Sequence, residues 1–392
     1  MMNKKRVIIR GPSLTHSGYG THCRQIARYL LQRDDVDLTV APTPWGITPW
    51  MLDRSAKDGL VGELMQRSRD DKGPFDLSVQ VQLPNEWDPR LARVNVGVTA
   101  GVEATLCNPS WVANVDAMDR VIVPSTFTKQ TLQSSGILRD GGTHVHVVPE
   151  ACSDAIIERR LVPDVFSFST TFNFLLVGQL TGSSSENDRK NIFNTIKWFC
   201  EAFKDDTDVG LIVKTNNGRE TRIDRKITLE LMASLVKQVR TGPHPRIHLV
   251  HGILSDEEMA SLYAHESVRA FISLTRGEGF GLPILEAACS DVPVVATNWS
   301  GHLDFMNKGR FVKLDFGLDE VPKSRVDGKI FVEGARWANV DEHDVKRKLK
   351  KLRDSPTIPG QWASALGAVL REQNSFASVV RSYDASLGPL LC

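Results

Sequence analysis

Residues 273–301 read SLTRGEGFGLPILEAACSDVPVVATNWSG. An apolar run ends near Thr275, a loop carries Gly277, Gly279 and Gly281, and Pro283 opens a helical stretch. Proline suits the first helical position, because the N–H it lacks has no intrahelical partner there. The glycines let the backbone approach a ligand closely, and the new helix directs unpaired N–H groups and its positive dipole end at the same point. Such a turn suits a phosphate or a diphosphate. Two carboxylates bracket it, Glu278 in the loop and Glu286 eight positions on, expected in the first helical turn. A carboxylate beside a phosphate is repulsive, so it needs another duty, and accepting hydrogen bonds from sugar hydroxyls is the natural one. Without a ligand the same stretch reads as a capped helix with a surface glutamate.

Outward from this segment the chain repeats one rhythm. Short β-branched runs at 6–10, 38–41, 77–83, 94–99, 120–123 and 144–148 alternate with helical stretches, the clearest at 19–32. A second cycle follows, with strands at 174–177, 210–214, 247–250, 270–274 and 292–296 and helices at 191–203, 227–240, 256–264 and 283–289. Near-continuous apolar strands between helices indicate parallel sheets covered on both faces. A cycle that runs out and restarts indicates two α/β domains. The stretch 153–171 loses periodicity and marks the junction, giving expected domains at 1–160 and 161–370. Residues 371–392 form a final helix with no strand to follow, expected to pack on the N-terminal domain.

The 392 residues suit two domains at roughly 150 residues each. Lys+Arg 48 against Asp+Glu 47 leaves a charge of +1, which excludes nucleic-acid binding through bulk charge and an acidic tail. The six cysteines are scattered without a C-x-x-C pair, so they read as reduced thiols of a cytoplasmic protein and offer no zinc site. The N-terminal KKRVII is too short for a secretory apolar region, and no window suits a transmembrane helix.

The segment EGFGLPILEA, from Glu278 to Ala287, closely resembles the E-x7-E motif of retaining glycosyltransferases of the GT-B fold, especially family 4. Ser290-Asp291 stands where that family usually has glycine, and a changed turn with no lost chemistry is expected. The resemblance implies two Rossmann-like domains with parallel sheets facing across a cleft, the C-terminal helix crossing back to the N-terminal domain. It implies that Glu278 approaches the donor sugar, that N–H groups near Gly279, Phe280, Gly281 and Leu282 hold a diphosphate, and that Glu286 bonds a ribose. Family members open the C-terminal domain with a strand ending in glycine and a cationic loop. Gly178 ends such a strand here, Lys190 fits the family lysine, and Arg189 replaces an arginine lost to Gln179. These cations would stabilise a departing nucleoside diphosphate. Lys214, ending the next strand, is a weaker member of the same set.

In the N-terminal half, RGPSLTHSGYGTHC fails as a dinucleotide fingerprint, since it lacks the third glycine and no acidic residue ends the second strand. The resemblance assigns Gly18 and Gly20 to the donor and acceptor side. It also places Glu103 where a family subset carries a glutamate near the sugar; a loop-capping carboxylate is the plain alternative. Two D-x-D strings, 35–37 and 206–208, lie in turns before apolar strands and read as structural, so no metal and no resident cofactor is expected. The basic run KRKLKKLR at 346–353 reads as a solvated helix face, with anionic membrane or nucleic acid as the other reading. The implied activity is metal-independent transfer, with retention, from a nucleoside-diphosphate sugar to a hydroxyl acceptor. That acceptor is left open among glycan, lipid-linked saccharide, small molecule, protein and modified nucleic-acid base. A sugar phosphorylase, a nucleotide-sugar epimerase and a non-catalytic nucleotide or glycan binder are the competing readings.

Overall fold

A computed structural model describes residues 4–216, 221–240 and 242–392. The chain divides into two compact units. One comprises Met1–Ala151, Gly328–Val332 and Phe376–Cys392, and the other Cys152–Asp327 and Glu333–Ser375. The division between Ala151 and Cys152 falls just ahead of the aperiodic 153–171 stretch, whose short helix Asp154–Ile157 packs into the second unit.

The first unit is built on β1 (Lys5–Gly11), β2 (Val36–Pro42), β3 (Leu77–Val81), β4 (Val94–Val98), β5 (Arg120–Val123) and β6 (Val145–Val147). They form a six-stranded sheet in the order β2-β1-β3-β4-β5-β6, and every pairing is parallel. The apolar runs that suggested strands are buried on both faces, β3 along its whole length. The helix Gly18–Leu31 lays Ile26 and Leu30 on this sheet. Beside it the last helix, Phe376–Leu391, contributes Val379, Tyr383 and Leu387 to the same core. Its position is pinned by Tyr29, whose hydroxyl donates to Asp384 at 2.9 Å, and by the Arg28 guanidinium 3.9 Å above the Phe376 ring. The C-terminal helix thus returns to the N-terminal unit, as expected.

The second unit repeats the plan with β7 (Phe172–Val177), β8 (Val209–Thr215), β9 (Arg246–His251), β10 (Val268–Ser273), β11 (Val294–Thr297) and β12 (Val312–Leu314). The order is β12-β11-β10-β7-β8-β9, again parallel throughout. Helices Ile192–Ala202 and Glu342–Asp354 cover one face through Ile196, Phe199, Val345 and Leu349. Helices Asp256–Tyr263, Leu282–Cys289 and Thr357–Gln373 cover the other through Leu262, Leu285 and Leu366. An antiparallel pair, β13 (Phe316–Glu320) and β14 (Arg336–Val340), was not anticipated. Of the stretch between them, Gly328–Val332 belongs to the first unit, where Asn108 donates to the Gly328 carbonyl at 2.8 Å.

In each sheet the first strand has its sequence neighbour on one side and a later strand on the other. Ligands of open α/β sheets bind beyond the strand carboxyl ends at that reversal. In the second unit this point lies between β7 and β10, where Gly178 and the 276–282 loop emerge.

The D-x-D strings and the basic run contribute ion pairs within the units. Asp35 pairs with Arg33 at 2.6 Å, and Asp206 and Asp208 pair with Arg353 at 3.3 and 3.2 Å. In the run itself Lys346 meets Glu201 and Glu342, Arg347 meets Asp344, and Lys348 meets Asp344 at 2.6 Å. Among the described residues no helix is long and apolar enough to cross a membrane.

Candidate active site

The glycine loop after β10 enters the helix Leu282–Cys289 through Gly281, whose φ of +99° is natural only to glycine. A Cβ there would stand 3.1 Å from His302 Cβ. Pro283 is the second helical residue, one place later than expected, and still loses no intrahelical bond. Glu286 sits in the second turn and not in the first, a correction that the extra residue Leu282 explains. Asp291, where the family has glycine, adopts φ +62°, which a short polar side chain tolerates. Its carboxylate is held by Arg371 at 2.7 Å and Arg159 at 2.5 Å, so the turn survives the substitution.

The predicted cations and Glu278 do meet. Lys190 Nζ contacts Glu278 Oε1 at 2.6 Å and Oε2 at 2.9 Å, and Arg189 lies 3.7 Å from Oε2 while donating to the Gly277 carbonyl at 2.7 Å. Glu278 is only 7% exposed. Burial alone would raise its pKa, but the charges of Lys190 and then Arg189 outweigh it and bring the carboxyl down to about 2. Glu278 is therefore a carboxylate at neutral pH and has no proton to give. Beside it lies a small recess lined by Gly178, Lys190, Ser273, Glu278 and Pro283 together with apolar side chains such as Leu176 and Phe271. A Cβ on Gly178 would make only ordinary contacts at 3.7–3.9 Å, so space alone does not demand glycine there.

Asp188 organises the cationic loop, a role the sequence reading missed. Fully buried, it accepts from Thr181 Oγ1 at 2.7 Å, from the amides of Thr181 and Lys190 at 3.2 Å each, and from Ile192 N–H at 2.7 Å. The last bond satisfies the first amide of helix Ile192–Ala202, whose N-cap residue is Asn191, three positions after Asp188. Arg276, also buried, ties the two loops together by donating to the carbonyls of Ser185 at 2.8 Å and Asp188 at 3.2 Å.

Glu286 receives the Tyr263 hydroxyl at 3.0 Å, and burial together with this carboxylate pushes the phenol well above its usual pKa. Phe280 turns inward against Phe305, ring centroids 5.1 Å apart. Lys214 is buried at the end of β8 and donates to Asn216 Oδ1 and the Gly252 carbonyl, both at 2.6 Å. Gly18, Gly20 and Glu103 belong to the first unit. Gly20 has to be glycine, since a Cβ would lie 2.4 Å from the Thr15 carbonyl, whereas Gly18 borders open space. Glu103 is half-buried beyond Tyr19, whose phenol is raised first by burial and further by this carboxylate. Tyr19 stacks on Trp45 at 4.0 Å and bonds Thr99 at 2.9 Å.

The fold defines the class: two parallel six-stranded α/β units with the last helix returned to the first is the GT-B architecture of glycosyltransferases. Residues 194–318, a stretch that includes Glu278 and Glu286, match the family described as Glycosyl transferases group 1. The chain is 27% identical over 212 residues to a sucrose synthase of Melioribacter roseus, covering 49% of this chain and 26% of that one. It is 31% identical over 125 residues to the serotype-specific mannosyltransferase WbdA of Escherichia coli, covering 31% and 13%. The matches thus span about a quarter or less of those relatives' lengths. A glycosyltransferase from Rickettsia africae superposes with TM-score 0.66 at 14% identity, covering 99% of both chains. Anabaena Alr3699/HepE, solved with UDP and glucose, superposes with TM-score 0.58 at 13% identity, covering 98% of this chain and 100% of that one.

Proposed function

We propose that the protein is a retaining glycosyltransferase of family 4 type, moving a sugar from a nucleoside-diphosphate sugar to a hydroxyl acceptor without a metal ion. The observation that carries this reading is the Lys190–Glu278–Arg189 cluster beside the recess at the strand reversal of the second unit. Cations next to a helix start suit a diphosphate, and a permanently ionised glutamate suits sugar hydroxyls and a cationic anomeric carbon. The relatives' printed names, a sucrose synthase and a mannosyltransferase, and the UDP and glucose of the Anabaena structure agree with such a donor.

In this reading the bond between the anomeric carbon and the diphosphate oxygen breaks as the acceptor oxygen bonds that carbon from the same face. The acceptor proton passes to the departing phosphate oxygen. Lys190, Arg189 and the N–H groups opening helix Leu282–Cys289 hold the charge that leaves. Glu278 stabilises the oxocarbenium-like carbon electrostatically and cannot serve as the acid, because its pKa is about 2. The lysine and arginine take the part that a metal plays in other transferases. Free thiols, five of the six buried, favour a reducing compartment, and with it a cytoplasmic enzyme.

The test incubates the protein with UDP-, GDP- and ADP-sugars and a panel of hydroxyl acceptors, reading product and anomeric configuration by NMR. Retention, insensitivity to EDTA, and loss of turnover in Glu278→Gln are expected. Inversion, EDTA-sensitive turnover, or wild-type turnover in Glu278→Gln would each overturn the assignment.

A further inference from the structure

The turn after β11, residues 298–302, is keyed into the Glu278 loop through both main-chain polar groups of that residue. The Glu278 N–H donates to Ser300 Oγ at 2.9 Å, and the Gly301 N–H donates to the Glu278 carbonyl at 2.9 Å. Contact is close enough that a Cβ on Gly301 would stand 2.1 Å from the Gly279 carbonyl oxygen. The direction of the next bonds follows from chemistry. His302 Nε2 lies 2.8 Å from the Thr297 carbonyl, which can only accept, so Nε2 carries the hydrogen. In a neutral ring Nδ1 is then an acceptor, and it faces Ser300 Oγ at 3.5 Å. The serine hydroxyl can accept from Glu278 and send its own proton toward His302, so one orientation of the whole chain satisfies every group. His302 is fully buried, which favours the neutral ring.

Ser300 itself sits at φ +87°, a region natural to glycine and strained for serine. Backbone conformation therefore argues against serine here, while the hydrogen bonds argue for it. We infer that Ser300 is a positioning residue that fixes the Glu278 backbone through its hydroxyl, and that His302 acts through Ser300 by orienting that hydroxyl. This rests on the proposed role of Glu278 in sugar transfer.

The decisive variant is Ser300→Gly, which removes the hydroxyl and suits the backbone angle. A purely structural serine predicts a fully active variant whose thermal midpoint is set only by the bond lost from the Glu278 N–H and the strain relieved at residue 300. The positioning role predicts, in protein still folded at the assay temperature, a kcat lower by about 10- to 100-fold and a donor KM within about threefold. His302→Gln should lower kcat in the parent and cause no further loss in the Ser300→Gly background. Additive losses would overturn the part assigned to His302. Wild-type kcat in Ser300→Gly overturns the inference while leaving the transferase reading intact. If the parent neither transfers nor hydrolyses any donor, that reading fails, and backbone positioning is decided by hydrogen exchange. Faster exchange of residues 275–282 in ligand-free Ser300→Gly is then expected, and unchanged exchange refutes it.

Discussion

Replacing Lys190 by methionine leaves Glu278 as a buried carboxylate with Arg189, 3.7 Å away, as the nearest remaining cation. The parent carboxyl is lowered from 4.5 to about 2, a net preference for the ionised form of about 3 kcal/mol that remains after burial has opposed it. Lys190, with both carboxylate oxygens inside 3 Å, holds the larger share. The variant should therefore be about 2–3 kcal/mol less stable at pH 7.5, toward the low end for a broken buried pair because Arg189 stays. The sign with pH follows from a depressed carboxylate: its stabilising effect is complete above pH 4.5 and is lost as pH falls toward 2. The difference between parent and variant should shrink below pH 4.5 by up to about 1.4 kcal/mol per pH unit. Urea unfolding of both proteins at pH 7.5 and 3.5, followed by tryptophan fluorescence, measures it. Lys190→Met/Glu278→Gln should recover most of the loss, because the unpaired charge is gone. Equal stability of parent and Lys190→Met at pH 7.5, or an equal deficit at both pH values, would refute the electrostatic account.

Asp188→Ala leaves the Thr181, Lys190 and Ile192 amides without their acceptor and should cost about 2 kcal/mol or more. The same change should raise the donor KM, which initial rates would read. Tyr263→Phe removes the 3.0 Å bond to Glu286 and should cost about 1 kcal/mol. Nucleoside-diphosphate affinity by titration calorimetry should weaken with it. Gly301→Ala drives a methyl into the Gly279 carbonyl and should destabilise by about 1–3 kcal/mol in thermal unfolding, with loss of turnover.

The sheets were readable because their strands, buried on both faces, are unbroken apolar runs such as 211–213 and 294–296. The strands that escaped notice differ in kind. β12 is three residues long, and β13, FGLDE, exposes four of its five residues and ends in two acids. The basic run 346–353 was legible as a helix face, and helix Glu342–Asp354 also buries Val345, Leu349 and Leu352 as a stripe at helical spacing. At the site, Glu278 and Lys190 were found through a contiguous motif and a cationic loop. Their pairing joins loops 88 positions apart and only the fold reveals it. Ser300 and His302 carry no local signal at all, because their partners Glu278 and Thr297 define the role only after β10 and β11 align. Lys214 was selected for lying at a strand end, and its bonds to Asn216 and to the Gly252 carbonyl are visible only in the fold.

Return of the helix Phe376–Leu391 to the first unit constrains how the chain can fold as it is made. The core of that unit needs Val379, Tyr383 and Leu387, which follow Ala151 by more than half the chain. At roughly 5–20 residues per second, on the order of 10–50 s separate synthesis of the sixth strand from synthesis of its last covering helix. During that interval the first unit holds an open apolar face, while the second has every residue it requires before the last helix emerges. The usual order of N-terminal completion first is inverted. A ribosome stalled once Ser375 has emerged would carry a finished second unit tethered to an unfinished first one.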